Sequence, residues 1–454
     1  MAPSPPTGQK VSRTSTWFPA RVLAEVVWSL DRHVRDGNSS DANLGVPAVI
    51  PLTTTASAYR AVVSEGGSSE PTKKGRPATE PPALLLDLAA GRTPSEATID
   101  RRTIKLANEH GLTGLLWTWA GDHVTDVDLK TEMAQNDLYV QAHHVTLWKG
   151  LEESVARLTA AGIEVATLKG VTAEERWYRR RGERPCSDVD LLLSPDHLGR
   201  ASEAVRLLEP NHSWAAEVGP LAESGRIQTV TTRLENIEID LHFDLFKLGI
   251  PTRQSREVWA RTRPYRLPGG GSVQVLDDTT ALLHFLVHMN KDRFQRLLGY
   301  ADIARIIAAG RVDWEKAEQL TKAEGIEAST LRSLEVVLDR LSLPWPDELA
   351  RPAGFRVRLW NFVWRPGIRL RGAEGRLRFR RREDWVALLA RGRAFEALHW
   401  WLRRMWPPGA VVDVRYANVR GPYLWKLMRG RFLTAKATRK ALATRNSREM
   451  SSGS

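Results

Sequence analysis

Between Glu96 and Ala161 apolar residues recur three and four positions apart, the spacing that gathers them on one face of a helix. Ile104, Leu106, His110 and Leu112 open this stretch, and Leu151, Val155 and Leu158 close it. Gly162 stands where a left-handed residue would cap the last helix. The period then drops to two. Ile163, Val165 and Thr167 alternate with Glu164, Ala166 and Leu168, which predicts a short strand ending at Lys169-Gly170 and a helix beginning near Thr172. A second strand is predicted through Ser187–Leu193. Ser194-Pro195 follows as N-cap and first-turn proline of a helix whose apolar stripe is Leu198, Ala201, Val205 and Leu208. Further strands are predicted over Arg226–Arg233 and Ile237–Phe246, and helical spacing returns from Thr279 to about Leu341.

Before this region, Val22, Val26, Val27 and Leu30 give FPARVLAEVVWSL the spacing of a short helix. Residues 60–82 lack periodicity and are dense in Gly, Ser, Pro and charge, as in a flexible linker or long loop. The expected organisation is an N-terminal segment (1–59), the linker (60–82), a helical region (83–161), a mixed α/β core (162–246), a helical region packing on that core (247–350) and a basic helical C-terminal region (351–454). The fold class is α+β, a small mixed sheet flanked by helical regions on both sides.

Of the 454 residues, 42% are hydrophobic and 26% charged, the balance of a globular chain. No run approaches the roughly eighteen apolar residues of a membrane-spanning helix. The start, MAPSPPTGQKVSRTSTWF, has no apolar signal core. A single cysteine, Cys186, leaves no internal disulfide to form and suits a reducing compartment. These features favour a cytoplasmic protein.

The net charge of +13 is unevenly placed. Arg351–Ser454 holds 25 Lys and Arg against 6 Asp and Glu, so the preceding residues are acidic on balance, 41 against 47. Such a tail suits an anionic membrane surface, which would make the protein peripheral at the inner membrane face, or an acidic protein; nucleic acid is the less favoured partner. A solvated arginine-rich surface is the plain alternative. The stretch GPYLWKLMRGRFLTAKATRK mixes Leu424, Trp425, Met428 and Phe432 with cations, as an interfacial amphipathic helix does. Trp400, Trp401 and Trp406 read as packing residues and not as base-stacking platforms.

The chemistry lies in the mixed segment. Alternation puts Asp188 and Asp190 on one strand face, with Val189, Leu191 and Leu193 on the other. In the later strand Ile237, Ile239, Leu241 and Phe243 share the apolar face, opposite Glu238, Asp240, His242 and Asp244. Clustered carboxylates raise one another's pKa unless they share a proton or a cation. Oxygen donors without soft ligands favour Mg2+, or Mn2+, which can clamp the attacking and leaving oxygens of an in-line phosphoryl displacement. The third carboxylate would hold the cation nearest the acceptor hydroxyl and take its proton. Upstream, Gly170 at a strand end lets backbone N–H groups approach phosphate, and Lys169 would neutralise a triphosphate. Arg176, Arg179, Arg180, Arg181 and Arg184 lie between and can hold an anionic nucleotide or substrate.

LKG…RPCSDVDLLL…EIDLHFDLF resembles the uncharacterised nucleotidyltransferase family of the polymerase-β-like superfamily, over about Leu168–Phe246 and more loosely over the flanking helices. The resemblance implies a nucleotidyltransferase-type sheet, a divalent cation and an NTP as co-substrate. It assigns Gly170 to the turn, Asp188 and Asp190 to the metal-binding pair and Asp240 to the third carboxylate; Lys169, Arg184 and His242 match polar positions beside those motifs. The turn here reads Gly170-Val171 in place of Gly-Ser or Gly-Gly, and its spacing to Asp188 is longer than usual.

The reading is a metal-dependent nucleotidyltransferase acting on an unidentified hydroxyl or phosphate acceptor, such as a peptide or small-molecule biosynthetic intermediate. The alternatives are a phosphotransferase (kinase) using the same site and a non-catalytic scaffold acting through the basic tail. Glu238 is read as a neighbour that flanks the site. His284, His288 and Asp292, four apart on one helical face, are read as helix–helix hydrogen-bonding groups in the absence of a further ligand. No base is paired with Cys186 in the sequence, so it is not read as a nucleophile.

Overall fold

The change of period at Gly162 is a true boundary. The helix before it ends at Ala160, Gly162 takes φ +67, and the Ile163 N–H returns to the Leu158 carbonyl, closing the helix end as the strand begins. The computed structural model describes residues 82–94, 99–246, 252, 255–292 and 294–354, with 420–422, 424–426 and 428–429 near the C-terminus. The expected helix at FPARVLAEVVWSL, the linker up to residue 81, the three tryptophans at 400, 401 and 406 and most of the basic tail lie outside the described residues.

Among the described residues four helices come first: α1 (Ala83–Ala90), α2 (Arg101–His110), α3 (Thr113–Ala120) and the long α4 (Val127–Ala160). Asp100 and Asp126 accept backbone N–H groups at the starts of α2 and α4, as N-caps do. The mixed unit follows as β1 (Val165–Thr167), α5 (Val171–Trp177), β2 (Val189–Leu193), a 3-10 turn over Pro195–Arg200, α6 (Ala201–Leu208), α7 (Ala215–Glu223), β3 (Thr229–Leu234) and β4 (Ile237–His242). Then come α8 (Ser255–Ala260), β5 (Arg263–Arg266), β6 (Ser272–Val275) and four helices, α9 (Asp278–Asp292), α10 (Leu297–Ala308), α11 (Trp314–Glu324) and α12 (Glu327–Leu341).

The six strands form one mixed sheet in the order β3-β4-β2-β1-β6-β5. β2 runs parallel to β4 and β1 parallel to β6, and the other neighbours are antiparallel. The α+β class stands. The stretch 247–350 differs from its expected helical character, because β5 and β6 extend the sheet beyond residue 246. They are held there by β1 and by Tyr265 of β5, whose ring stacks on Trp148 of α4.

One face of the sheet is apolar. Val189, Leu191, Leu193, Ile239, Leu241 and Phe243 pack with Leu147, Leu151, Val155 and Leu158 of α4 and with Val205 of α6. A separate core joins α1–α3 to α9, α10 and α12, with Tyr300, Phe294 and Leu112 fully buried. Ala166, Leu168 and Leu192 belong to a third cluster with Leu283 and Val287 of α9, on the sheet face that also carries the acids. Burying Leu, Ile, Val and Phe at about 1.5–3 kcal/mol each is what fixes the register of β2 and β4.

Candidate active site

Asp190 and Asp240 are direct partners in the parallel register of β2 and β4, side by side on the face opposite the apolar core. The alternation that buries Val189 and Leu191, and Ile239 and Leu241, leaves them no other face. Asp188 sits half-buried just before β2. Its carboxyl is held above the ordinary range by burial and then by the Asp190 charge, with Asp240 adding to the rise and Lys169 opposing it.

The fold brings Lys169 and His242 to the same acids. Lys169 Nζ lies 3.2 Å from Asp190 Oδ2, and His242 Nε2 lies 2.9 Å from Asp190 Oδ1. Burial alone would lower the Lys169 pKa, but Asp190 and Asp188 outweigh it, so the ammonium stays charged. The Thr231 hydroxyl, across the β3–β4 pair, donates to Asp240 Oδ1 at 2.6 Å. Among the described residues Asp190, Asp240 and His242 present ligand atoms within 4.8 Å of one another. Asp188 is an electrostatic neighbour of that group and not a member of it.

Gly170 joins β1 to α5 with φ +75 and ψ −137. A β-carbon there would meet only the Asp188 carbonyl at 3.5 Å, so conformation and not space selects glycine. The hydroxyls of Thr167 and Thr172 both reach the Lys169 carbonyl, at 3.3 and 3.2 Å, and pin the turn.

The arginines between turn and acids are mostly engaged. Arg184 is buried, with Nε and Nη2 on the two oxygens of Asp302 at 2.8 and 3.0 Å, and the Tyr178 hydroxyl donates to the same carboxylate at 2.6 Å. Arg176 and Arg311 both hold Asp278, and Arg180 holds Asp137 at 2.7 Å. Arg184 therefore ties the segment entering β2 to α10, with its Nη1 toward the Gly170 carbonyl at 3.5 Å, where a nucleotide-facing guanidinium was expected.

One constellation escaped the sequence. Glu174 of α5 accepts the backbone N–H groups of Gly182 and Arg184, each at 2.9 Å, and pairs with His144 Nδ1. The other ring nitrogen of His144 lies 3.1 Å from Cys186 Sγ. Burial would lower the His144 pKa, but Cys186 and Glu174 outweigh it and hold it up at about 10. Cys186 does have a basic partner, then, contrary to the expectation. His144 lies on α4, far upstream, and only the fold joins the two. Glu174 had no sequence signal beyond its place in a short helix.

His284 and His288 do not link helices. His284 Nδ1 donates to the Leu245 carbonyl, just past β4, at 2.9 Å, and burial together with nearby His288, His242 and Lys169 keeps the ring neutral. His288 pairs within α9 with Asp292 at 3.1 Å.

Comparison with known proteins adds one result. A protein family described as an uncharacterised nucleotidyltransferase matches residues 97–341, more than half of the chain, from α2 to the end of α12. No curated protein and no solved structure matches.

Proposed function

The chain belongs to this uncharacterised nucleotidyltransferase family, and on that premise we propose that it moves a nucleotidyl group from an NTP to a hydroxyl or phosphate acceptor at the cluster of Asp188, Asp190 and Asp240. The observation that carries the reading is the pairing of Asp190 with Asp240 across two parallel strands, with Asp188 close enough for its carboxyl to feel both charges.

The donors fit a divalent cation: two carboxylates and an imidazole lie within 4.8 Å of one another. Asp190 and Asp240, with Asp188 beside them, would hold it. When bound, such a cation neutralises phosphate charge and makes the acceptor hydroxyl more acidic. Asp240, on the neighbouring strand, would take the acceptor's proton as general base. Lys169, kept charged by its acidic neighbours, meets the triphosphate as a point charge. The Gly170 turn leaves backbone open to phosphate where a side chain would stand. Arg184, occupied by Asp302, serves by fixing the approach to β2.

The acceptor, unidentified, would present a hydroxyl or phosphate, as a peptide or small-molecule biosynthetic intermediate does. Among the described residues no helix is long and apolar enough to cross a membrane. The basic C-terminal quarter would add contact with an anionic membrane surface or an acidic protein. Near-isosteric Asp190→Asn and Asp240→Asn variants test the site. Each should cut cation-dependent turnover at least about a hundredfold while the circular dichroism spectrum is unchanged. Full activity in both folded variants would place the chemistry elsewhere.

A further inference from the structure

Resting on the reading above, we propose that His242 is a direct ligand of the cation and makes the site select Mn2+ over Mg2+. Counting carboxylates along the chain suggests an all-oxygen site, but the innermost group is different. Among the described residues, the three side chains whose ligand atoms lie within 4.8 Å of one another are Asp190, Asp240 and His242, and the third carboxylate, Asp188, stands outside them. One donor is therefore an imidazole nitrogen.

Nitrogen changes which ion is held. Mg2+ prefers six oxygens in near-ideal octahedral geometry and keeps several of its waters, whereas Mn2+ accepts imidazole together with carboxylates. Asp190 and His242 are each 1% exposed, so these two donors are shielded from bulk water, while Asp240 is half-buried. The spacing is close to what one ion spans: donors about 2.1 Å from a common centre lie up to about 4.2 Å apart, so a small closure brings all three to it.

His242 is also held in place for ligation. Its strand pairs with β2 so that His242 stands beside Leu192, one step along the same face from Asp240 beside Asp190. Its Nε2 lies 2.9 Å from Asp190 Oδ1, while Lys169 takes the other oxygen. An ion entering between ring and carboxylate replaces that hydrogen bond. Nε2 then gives its lone pair, and the ring proton resides on Nδ1.

The test uses the full-length protein with Mn2+ and no nucleotide, read by electron paramagnetic resonance with Mg2+ as competitor. Bound Mn2+ should resist Mg2+ present in at least about tenfold excess and should show nitrogen modulation from one imidazole in the pulsed spectrum. His242→Gln should abolish that modulation and weaken Mn2+ by more than the roughly 10–100-fold that loss of a merely orienting partner costs, with Mg2+ affinity changed much less. Asp190→Asn should remove binding of both ions. Bound Mn2+ that depends on Asp190 but shows no nitrogen modulation and yields to equimolar Mg2+ overturns this inference alone: His242 then only orients Asp190. Failure of the folded wild-type protein to bind either ion overturns the cation site and this inference together. The nitrogen signal is read on wild-type protein, so the outcome does not depend on the variant folding.

Discussion

Gly170 combines φ +75 with ψ −137 at the turn before α5, a conformation that L side chains avoid although the space beside it is open. Gly170→Ala should therefore lower stability through backbone strain, by about 1–3 kcal/mol in denaturant unfolding, with no overpacking to relieve. His144 makes a second prediction. Its pKa is raised, so the folded state binds its proton more tightly than the unfolded state does. That contribution is complete below the ordinary value of 6.5 and is lost as the pH rises through about 10. Unfolding midpoints should fall across that window, and Glu174→Gln should flatten the slope. Arg184 makes a third. Removing it leaves Asp302 buried and uncompensated, so Arg184→Ala should cost about 3–5 kcal/mol of stability. A guanidinium that served only to bind nucleotide would leave stability unchanged. Strand alternation put Asp188, Asp190 and Asp240 on one face in the sequence, and the turn at Gly170 singled out Lys169. The roles of Arg184 and Cys186 were not legible there, because Asp302 and His144 come from distant helices.

At the scale of elements, α3 lies directly against the segment that leads into β2. A β-carbon on Gly114 would fall 1.8 Å from the Gly182 carbonyl oxygen and 2.7 Å from Glu183 Cα, backbone that has no rotamer to yield. Gly114→Ala should thus displace the 182–187 segment, cost about 1–3 kcal/mol as overpacking does, and weaken cation binding by moving Asp188; unaltered cation affinity would show that this segment does not position the acid. The strands that carry the acids were readable because each has a full apolar face, Val189-Leu191-Leu193 and Ile237-Ile239-Leu241. β5 and β6 were not. Each has four residues, and Arg263–Arg266 is an edge strand with a single partly buried position, so pairing and not apolar period makes it a strand.

For the whole molecule, the family match begins before α2 and ends with α12, enclosing every site residue and the entire sheet. The +13 net charge, by contrast, resides in the C-terminal quarter. If that quarter meets anionic surfaces by charge, full-length protein should sediment with anionic vesicles at low salt and release as the Debye length shrinks to about 3 Å near 1 M; retention unaffected by salt would contradict a charge-driven contact. The chemistry itself is tested most directly by following phosphate. The full-length protein is given an NTP labelled separately at its α and γ phosphates, with Mn2+ or Mg2+ and candidate acceptors, and the products are weighed and counted. Nucleotidyl transfer puts the α label on the acceptor and the γ label in pyrophosphate. A γ label on the acceptor, with the nucleoside diphosphate left behind, contradicts it.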